Sequence, residues 1–188
     1  FQFVEVSSSA PIQLSDENLI AVEMHSDVPI IGYWSSSSDL LNKIWKATNS
    51  SYLANLFGYP TDCPQREKNG WTGDAHIAIE TGLYNFDGIS IYEKWMNDFC
   101  DEQKDNGVLP CIIPTSVWGY DWANGVDWTS AVAIIPWEIY RFYGDTTLLR
   151  RMYGPIKKYV SYIESISTNH LTDWGLGDWV PVRSKSNI

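Results

Sequence analysis

The spacing of apolar residues changes near position 35. Before it, short apolar stretches read as extended: Phe1 and Phe3 lead into Val4 and Val6, and Leu19-Ile20-Ala21-Val22-Glu23-Met24 follows. Short apolar runs bounded by turn compositions predict strands. Turn compositions interrupt them at Ser7-Ser8-Ser9-Ala10-Pro11 and Asp16-Glu17-Asn18. Residues 1–34 therefore read as a β-strand segment, the tail of a preceding β-domain or a linker. Ser35-Ser36-Ser37-Ser38 marks the boundary.

From there the steps become three and four residues, the period of a helix face. Leu40, Leu41, Ile44, Trp45, Thr48 and Tyr52 form the first stripe, capped by Ser38 or Asp39. Asp74 to Tyr84 predicts a shorter helix, and Tyr92, Trp95, Met96, Phe99 and Cys100 mark a third. Residues 107–127 are loop-like, rich in Gly, Pro and aromatics. Ser130–Tyr143 reads as a helix kinked at Pro136, with Gly144 as its C-cap and Asp145 capping the next. Leu148, Leu149, Met152, Ile156, Val160 and Ile163 define the last stripe, with an irregularity at Pro155. About five helices joined by alternately tight and long loops fit a closed toroid and a simple bundle equally well. No fixed-period repeat is visible.

Composition narrows the partners. A formal net charge of −10 disfavours nucleic acid, whose phosphates need Lys and Arg. No apolar run reaches the roughly 18–20 residues of a membrane helix. Ten Trp and eleven Tyr are a surplus. Their flat apolar faces and polar tips suit carbohydrate, although most individual aromatics fill cores. Cys63, Cys100 and Cys111 match no zinc spacing and read as structural thiols, with a Cys100–Cys111 bridge left open. His76 and His170 lack ligand partners at metal spacing, so no metal site is expected. The chain starts without Met and reads as an excised segment.

Chemistry concentrates between the first two helices, in Asp62-Cys63-Pro64-Gln65-Arg66-Glu67-Lys68-Asn69-Gly70-Trp71-Thr72-Gly73-Asp74. Glycosidic cleavage needs a protonated carboxyl beside the leaving oxygen, and Glu67, flanked by Asp62 and Asp74, is a candidate. The same composition fits a solvated interhelical loop. Glu80 and Glu138 lie on apolar-periodic helices and read as structural. Trp118-Gly119-Tyr120-Asp121-Trp122, in the long loop, reads either as a sugar-stacking loop or as a plug for the open end of the helices.

Asp62 to Glu67 followed by Gly70 to Asp74 resembles the signature of bacterial α-L-rhamnosidases of glycoside hydrolase family seventy-eight. Asp39 to Trp45, Gly107 to Pro110 and Ala131 to Asp145 also resemble that family, over about residues 34–180. The resemblance implies a mainly α fold, with 35–188 as the first half of an (α/α)6 barrel. It implies an inverting hydrolase that removes terminal α-L-rhamnose from glycans or glycosides. Glu67 would be the general acid; Asp62, Arg66 and Asp74 would hold rhamnose hydroxyls; Trp71, Trp128 and Trp179 would line the pocket. No metal or organic cofactor is implied. The family's general base lies beyond Ile188, so half of the barrel would be missing and this polypeptide would be inactive alone. A bacterial protein is implied, cytoplasmic or periplasmic. The alternatives are another (α/α)6-barrel exo-glycosidase, such as a glucosidase or trehalase relative, and a non-catalytic glycan-binding module.

Overall fold

The computed structural model describes residues 3–122 and 124–179. Its elements are α1 (Asp39–Ala54), α2 (Thr72–Asn85), α3 (Ile89–Glu102), the single turn α4 (Val126–Thr129), α5 (Ala131–Tyr143) and α6 (Thr147–Ile166). The chain is mainly helical. α5 packs on α2, α3 and α6, and α1 lies against α2.

The core forms where the helical stripes face one another. Tyr92, Trp95, Met96 and Phe99 of α3 are fully buried, as their spacing predicts. They pack with Ala75, Ile79 and Leu83 of α2, Ile135 and Ile139 of α5, and Leu148 and Met152 of α6. Trp95 Nε1 donates to the Ile113 carbonyl at 2.9 Å, so a polar atom inside this cluster is satisfied. Gly82 allows α1 to approach α2, because a Cβ there would lie 2.1 Å from the Tyr52 hydroxyl oxygen. Tyr52 then stacks on Phe86, centroids 5.5 Å apart, and its hydroxyl meets that of Tyr92 at 2.9 Å.

α5 and α6 continue through Pro136 and Pro155. Gly144 ends α5 in the left-handed conformation, φ 68°. The cap of α6 is Thr146, one residue later than expected, yet Asp145 still serves the terminus: its Oδ1 accepts from the Thr147 N–H at 2.8 Å. That bond holds the Asp145 carboxyl below its ordinary range. At α1, Ser38 occupies the N-cap without a side-chain bond.

One expectation is corrected. No β-strand forms among the described residues, so the preceding strands in 1–34 are absent from 3–34. The segment is tied down by isolated contacts instead: Ile30 bridges Phe86, and the Ser26 N–H donates to the Leu56 carbonyl at 2.7 Å. A short apolar run supplies a strand's residues, but a strand also needs a partner and a layer to cover. Here Ile20, Val22 and Met24 are 66–70% exposed. The cysteines read as structural thiols, and the bridge left open between Cys100 and Cys111 does not form. All three thiols are free, with Cys100 directed at Met152 Sδ (3.6 Å) and Cys111 at the Trp122 carbonyl (3.7 Å).

Candidate active site

The loop from Asp62 to Trp71 closes on itself before α2 begins. The Asp62 N–H donates to the Asn69 carbonyl at 3.1 Å, and the Asn69 N–H returns to Asp62 Oδ1 at 2.9 Å. Lys68 turns the loop in the left-handed region, φ 57°. Cys63 sits inside it: its thiol donates to Asp62 Oδ2 at 2.6 Å, and its sulfur accepts the Glu67 N–H at 3.3 Å. The far end is anchored by residues 111–113. The Thr72 N–H donates to the Cys111 carbonyl at 2.8 Å, and the Ile113 N–H donates to Gly70 at 2.9 Å. Gly70 is required at that approach, since a Cβ would lie 2.1 Å from the Ile113 oxygen.

This frame fixes Trp71. The indole is buried, and its Nε1 donates to Glu67 Oε2 at 2.8 Å. One carboxyl oxygen of an exposed Glu67 is thereby oriented while the other stays available. Trp71 tilts against Trp128 (centroids 5.0 Å) and Trp122 (6.0 Å). Trp128 belongs to α4, the turn that the sequence pattern missed, and lies over Gly73, where a Cβ would come within 2.3 Å of its ring. A bridge between Gly125 and Gly175, with Leu176 N–H donating to the Asn124 carbonyl at 3.0 Å, carries Trp179 to the same place.

All seven residues singled out by sequence line one recess of about 410 Å³. Asp62, Arg66, Glu67 and Asp74 supply its charged groups; Trp71, Trp128 and Trp179 supply its walls. Arg66 makes no ion pair among the described residues. Cys63, Gln65, Leu176, Trp118 and Trp122 complete the lining. An adjoining recess of about 850 Å³ shares Asp62, Asp74, Trp128 and Trp179 and adds Asp127 and Asp178. Those two carboxylates adjoin the expected Trp128 and Trp179, and that adjacency was the available signal. Cys63 gave none: nothing in its spacing shows a thiol bonded to a site carboxylate.

Several groups read as structural by sequence take structural roles. Glu80 and Glu138 are both bound by Arg141, at 2.8 and 2.7 Å. His76 Nε2 lies 2.9 Å from the Asp127 carbonyl. Among the described residues, no cluster of His, Cys, Asp and Glu is arranged to hold a metal, and no helix is long and apolar enough to cross a membrane.

Asp74 stands in the first turn of α2, where the helix dipole favours a carboxylate by about 0.3–1 kcal/mol. Burial nevertheless raises its pKa above the ordinary 3.8, with Asp62 and Glu67 adding to the rise; its own backbone N–H and His76 oppose it. A folded pKa above the unfolded one means that the ionised form costs stability at neutral pH. That cost fades as pH falls through the raised value toward 3.8. Asp74→Asn is therefore expected to melt higher than wild type at pH 7, with the gap narrowing at pH 4. A variant that melts lower at pH 7 would refute the assignment.

A carboxyl oriented by an indole, beside two further carboxylates, a guanidinium and aromatic walls, is equipped to bind a polyhydroxylated ring and deliver a proton. Comparison with known proteins points the same way. The family model described as the bacterial alpha-L-rhamnosidase 6 hairpin glycosidase domain matches residues 29–188. The chain belongs to this rhamnosidase family. Among similar proteins, an alpha-L-rhamnosidase of Alteromonas sp. (strain LOR) is 32% identical over 183 residues, covering 96% of this chain and 20% of its own. One from Formosa agariphila is 33% identical, covering 87% and 18%. The solved alpha-L-rhamnosidase of Dictyoglumus thermophilum superposes with a TM-score of 0.80 at 37% identity, over 87% of this chain and 19% of that one. The Streptomyces avermitilis alpha-L-rhamnosidase, solved in complex with L-rhamnose, gives 0.77 at 28% identity over 82% and 15%. The chain thus spans about a fifth of the length of these rhamnosidase relatives.

Proposed function

We propose that this domain carries the rhamnose pocket and the general acid of an inverting α-L-rhamnosidase. The observation that supports it most is the convergence of all seven candidate residues on one recess, with Trp71 bonded to Glu67. Asp62, Arg66 and Asp74 hold hydroxyls of the terminal rhamnose, and Trp71, Trp128 and Trp179 cover its apolar faces. Glu67 gives its proton to the glycosidic oxygen as positive charge develops on the sugar ring. A water then attacks the anomeric carbon from the opposite face.

Inversion needs a second carboxylate about 6.5–9.5 Å from the acid, to take a proton from that water. Asp62 is engaged by the Asn69 N–H and the Cys63 thiol. Asp74 stands beside Asp62 and Glu67 in the recess that we assign to the sugar, on the same side as the acid. A base must act from the opposite face of the ring, and we assign that role to a residue outside this chain. We further infer that 35–188 is the first half of an (α/α)6 barrel and 1–34 a preceding linker. Leu40, Leu41 and Ile44 on α1 and Trp137 on α5 are each 47–67% exposed, as faces awaiting further helices would be.

The test is proton NMR of the first product that the full-length protein releases from a rhamnosyl disaccharide, run beside the 188-residue polypeptide. The full-length protein is expected to release β-L-rhamnose first, and the shorter polypeptide to release none. Initial α-L-rhamnose would contradict inversion. Turnover by the shorter polypeptide would contradict the external base. A full-length protein that binds rhamnosides and cleaves none would be a glycan-binding module.

A further inference from the structure

One flank of the Glu67 recess is unused by the reaction just described. There Trp118 and Trp122 stack on each other, centroids 5.3 Å apart and planes 26° from parallel. They remain 40% and 55% exposed. Paired indoles left open to water at a recess mark a contact surface more often than an idle one.

The loop that carries them is held firmly. The Trp118 N–H donates to the Thr115 carbonyl and Thr115 Oγ1 to the Gly119 carbonyl, both at 2.9 Å. The Tyr120 hydroxyl donates to the Glu102 carbonyl at 2.7 Å, and Lys104 lies 3.7 Å over the Tyr120 ring. Asn124 Nδ2 ties the end of the loop to the Tyr120 and Leu109 carbonyls. An aromatic surface fixed in advance loses little entropy when a ring settles on it.

Its location assigns the ring. A general acid that protonates a glycosidic oxygen stands where sugar and leaving group join. Asp62, Asp74, Trp128 and Trp179 are common to both recesses, whereas Arg66, Glu67, Trp71 and the Trp118–Trp122 pair line only the smaller one. With the sugar held by Asp62, Arg66 and Asp74 against Trp71, Trp128 and Trp179, the Trp118–Trp122 pair is the ring surface left over beside the acid for a group bonded through an oxygen at Glu67. Trp122 also touches Trp71, the residue that orients Glu67, so the pair adjoins the acid.

We propose that Trp118 and Trp122 form the leaving-group platform of this site, taking a ring with a flat apolar face. This rests on the rhamnosidase reading above. Such a ring comes either from an aromatic aglycone or from a second sugar, and substrates separate the two.

The test uses Trp118→Ala and Trp118→Phe in the full-length protein, because Trp118 is the member of the pair farther from Trp71 in the stack. Substrates are a naphthyl rhamnoside, a rhamnosyl-glucose disaccharide and methyl rhamnoside. Binding of an inert naphthyl β-glucoside is followed separately by tryptophan fluorescence. Trp118→Ala is expected to lower kcat/KM about 3–10-fold on a ring-bearing substrate, the size of one aromatic contact. Trp118→Phe should restore most of it. Inhibition by free L-rhamnose reports an intact sugar pocket and should not move. A loss on the naphthyl substrate alone identifies an aromatic aglycone, and a loss on the disaccharide a sugar. An equal loss on methyl rhamnoside, or a parallel weakening of rhamnose inhibition, would overturn the platform. If wild type cleaves no rhamnoside yet binds the naphthyl glucoside through Trp118, the pair still takes a flat ring and the rhamnosidase reading falls. Naphthyl binding indifferent to Trp118, with no loss on the disaccharide, overturns the platform itself.

Discussion

Glu67→Gln in the full-length protein is expected to lower kcat/KM on a rhamnosyl disaccharide by about 10²–10⁴-fold, the usual contribution of a positioned general acid. Glutamine keeps the volume of the side chain and can still accept the Trp71 indole N–H through its amide oxygen. It has no acidic proton to give a departing alkoxide. The loss should therefore appear in turnover, with inhibition by L-rhamnose little changed, because hydroxyl binding is proposed to fall to Asp62, Arg66 and Asp74. Steady-state kinetics with rhamnose as inhibitor separate the two effects. A loss of less than about threefold would place the acid elsewhere.

Trp95→Ala is expected to cost about 3–5 kcal/mol of stability, the range for emptying a large buried aromatic site. Trp95 is fully buried, edge-on to Phe99 at 5.0 Å and stacked toward Tyr59 at 6.5 Å. Truncation also strands the Ile113 carbonyl that its indole satisfies, a desolvation penalty of about 1–3 kcal/mol. Against a total of about 5–15 kcal/mol for an ordinary domain, that is a large fraction. The damage reaches the site, because Ile113 also holds Gly70 at the end of the Asp62–Trp71 loop. Urea unfolding of the variant should show the midpoint falling with its slope kept. A shift worth under about 1 kcal/mol would show that this cluster does not anchor the helices.

The helices were legible where their stripes face another helix. Tyr92, Trp95, Met96 and Phe99 recur at helical spacing and are all buried, so period and packing agree. On α1 the same periodicity finds the helix and misplaces its environment: Tyr52 is buried, while Leu40, Leu41 and Ile44 stay open. Periodicity reports an apolar face and says nothing of what covers it. The strand-like run at Leu19–Met24 misled for a related reason, since no partner strand is present among the described residues. α4 escaped notice because four residues are too few to display a period.

The site divides in the same way. Asp62, Arg66, Glu67, Trp71 and Asp74 stand within one short stretch, so their density is visible in the sequence and the loop only folds them inward. Trp128 and Trp179 arrive from far along the chain, through the Gly73 clearance and the Gly125–Gly175 bridge. Only the family resemblance reached these two. The bond from Cys63 to Asp62 depends on how one loop folds back on itself, and no residue spacing encodes it.

Whether Glu67 protonates the departing oxygen is read out by leaving-group dependence. Wild type and Glu67→Gln would be compared across rhamnosides whose leaving groups range from a sugar hydroxyl to a strongly acidic phenol. An acid matters most where the departing oxygen is most basic, so the ratio of wild-type to variant rate should shrink steadily toward the acidic phenols. A ratio that stays constant across the series would mean that Glu67 does not protonate the leaving group, and the site would need a different acid.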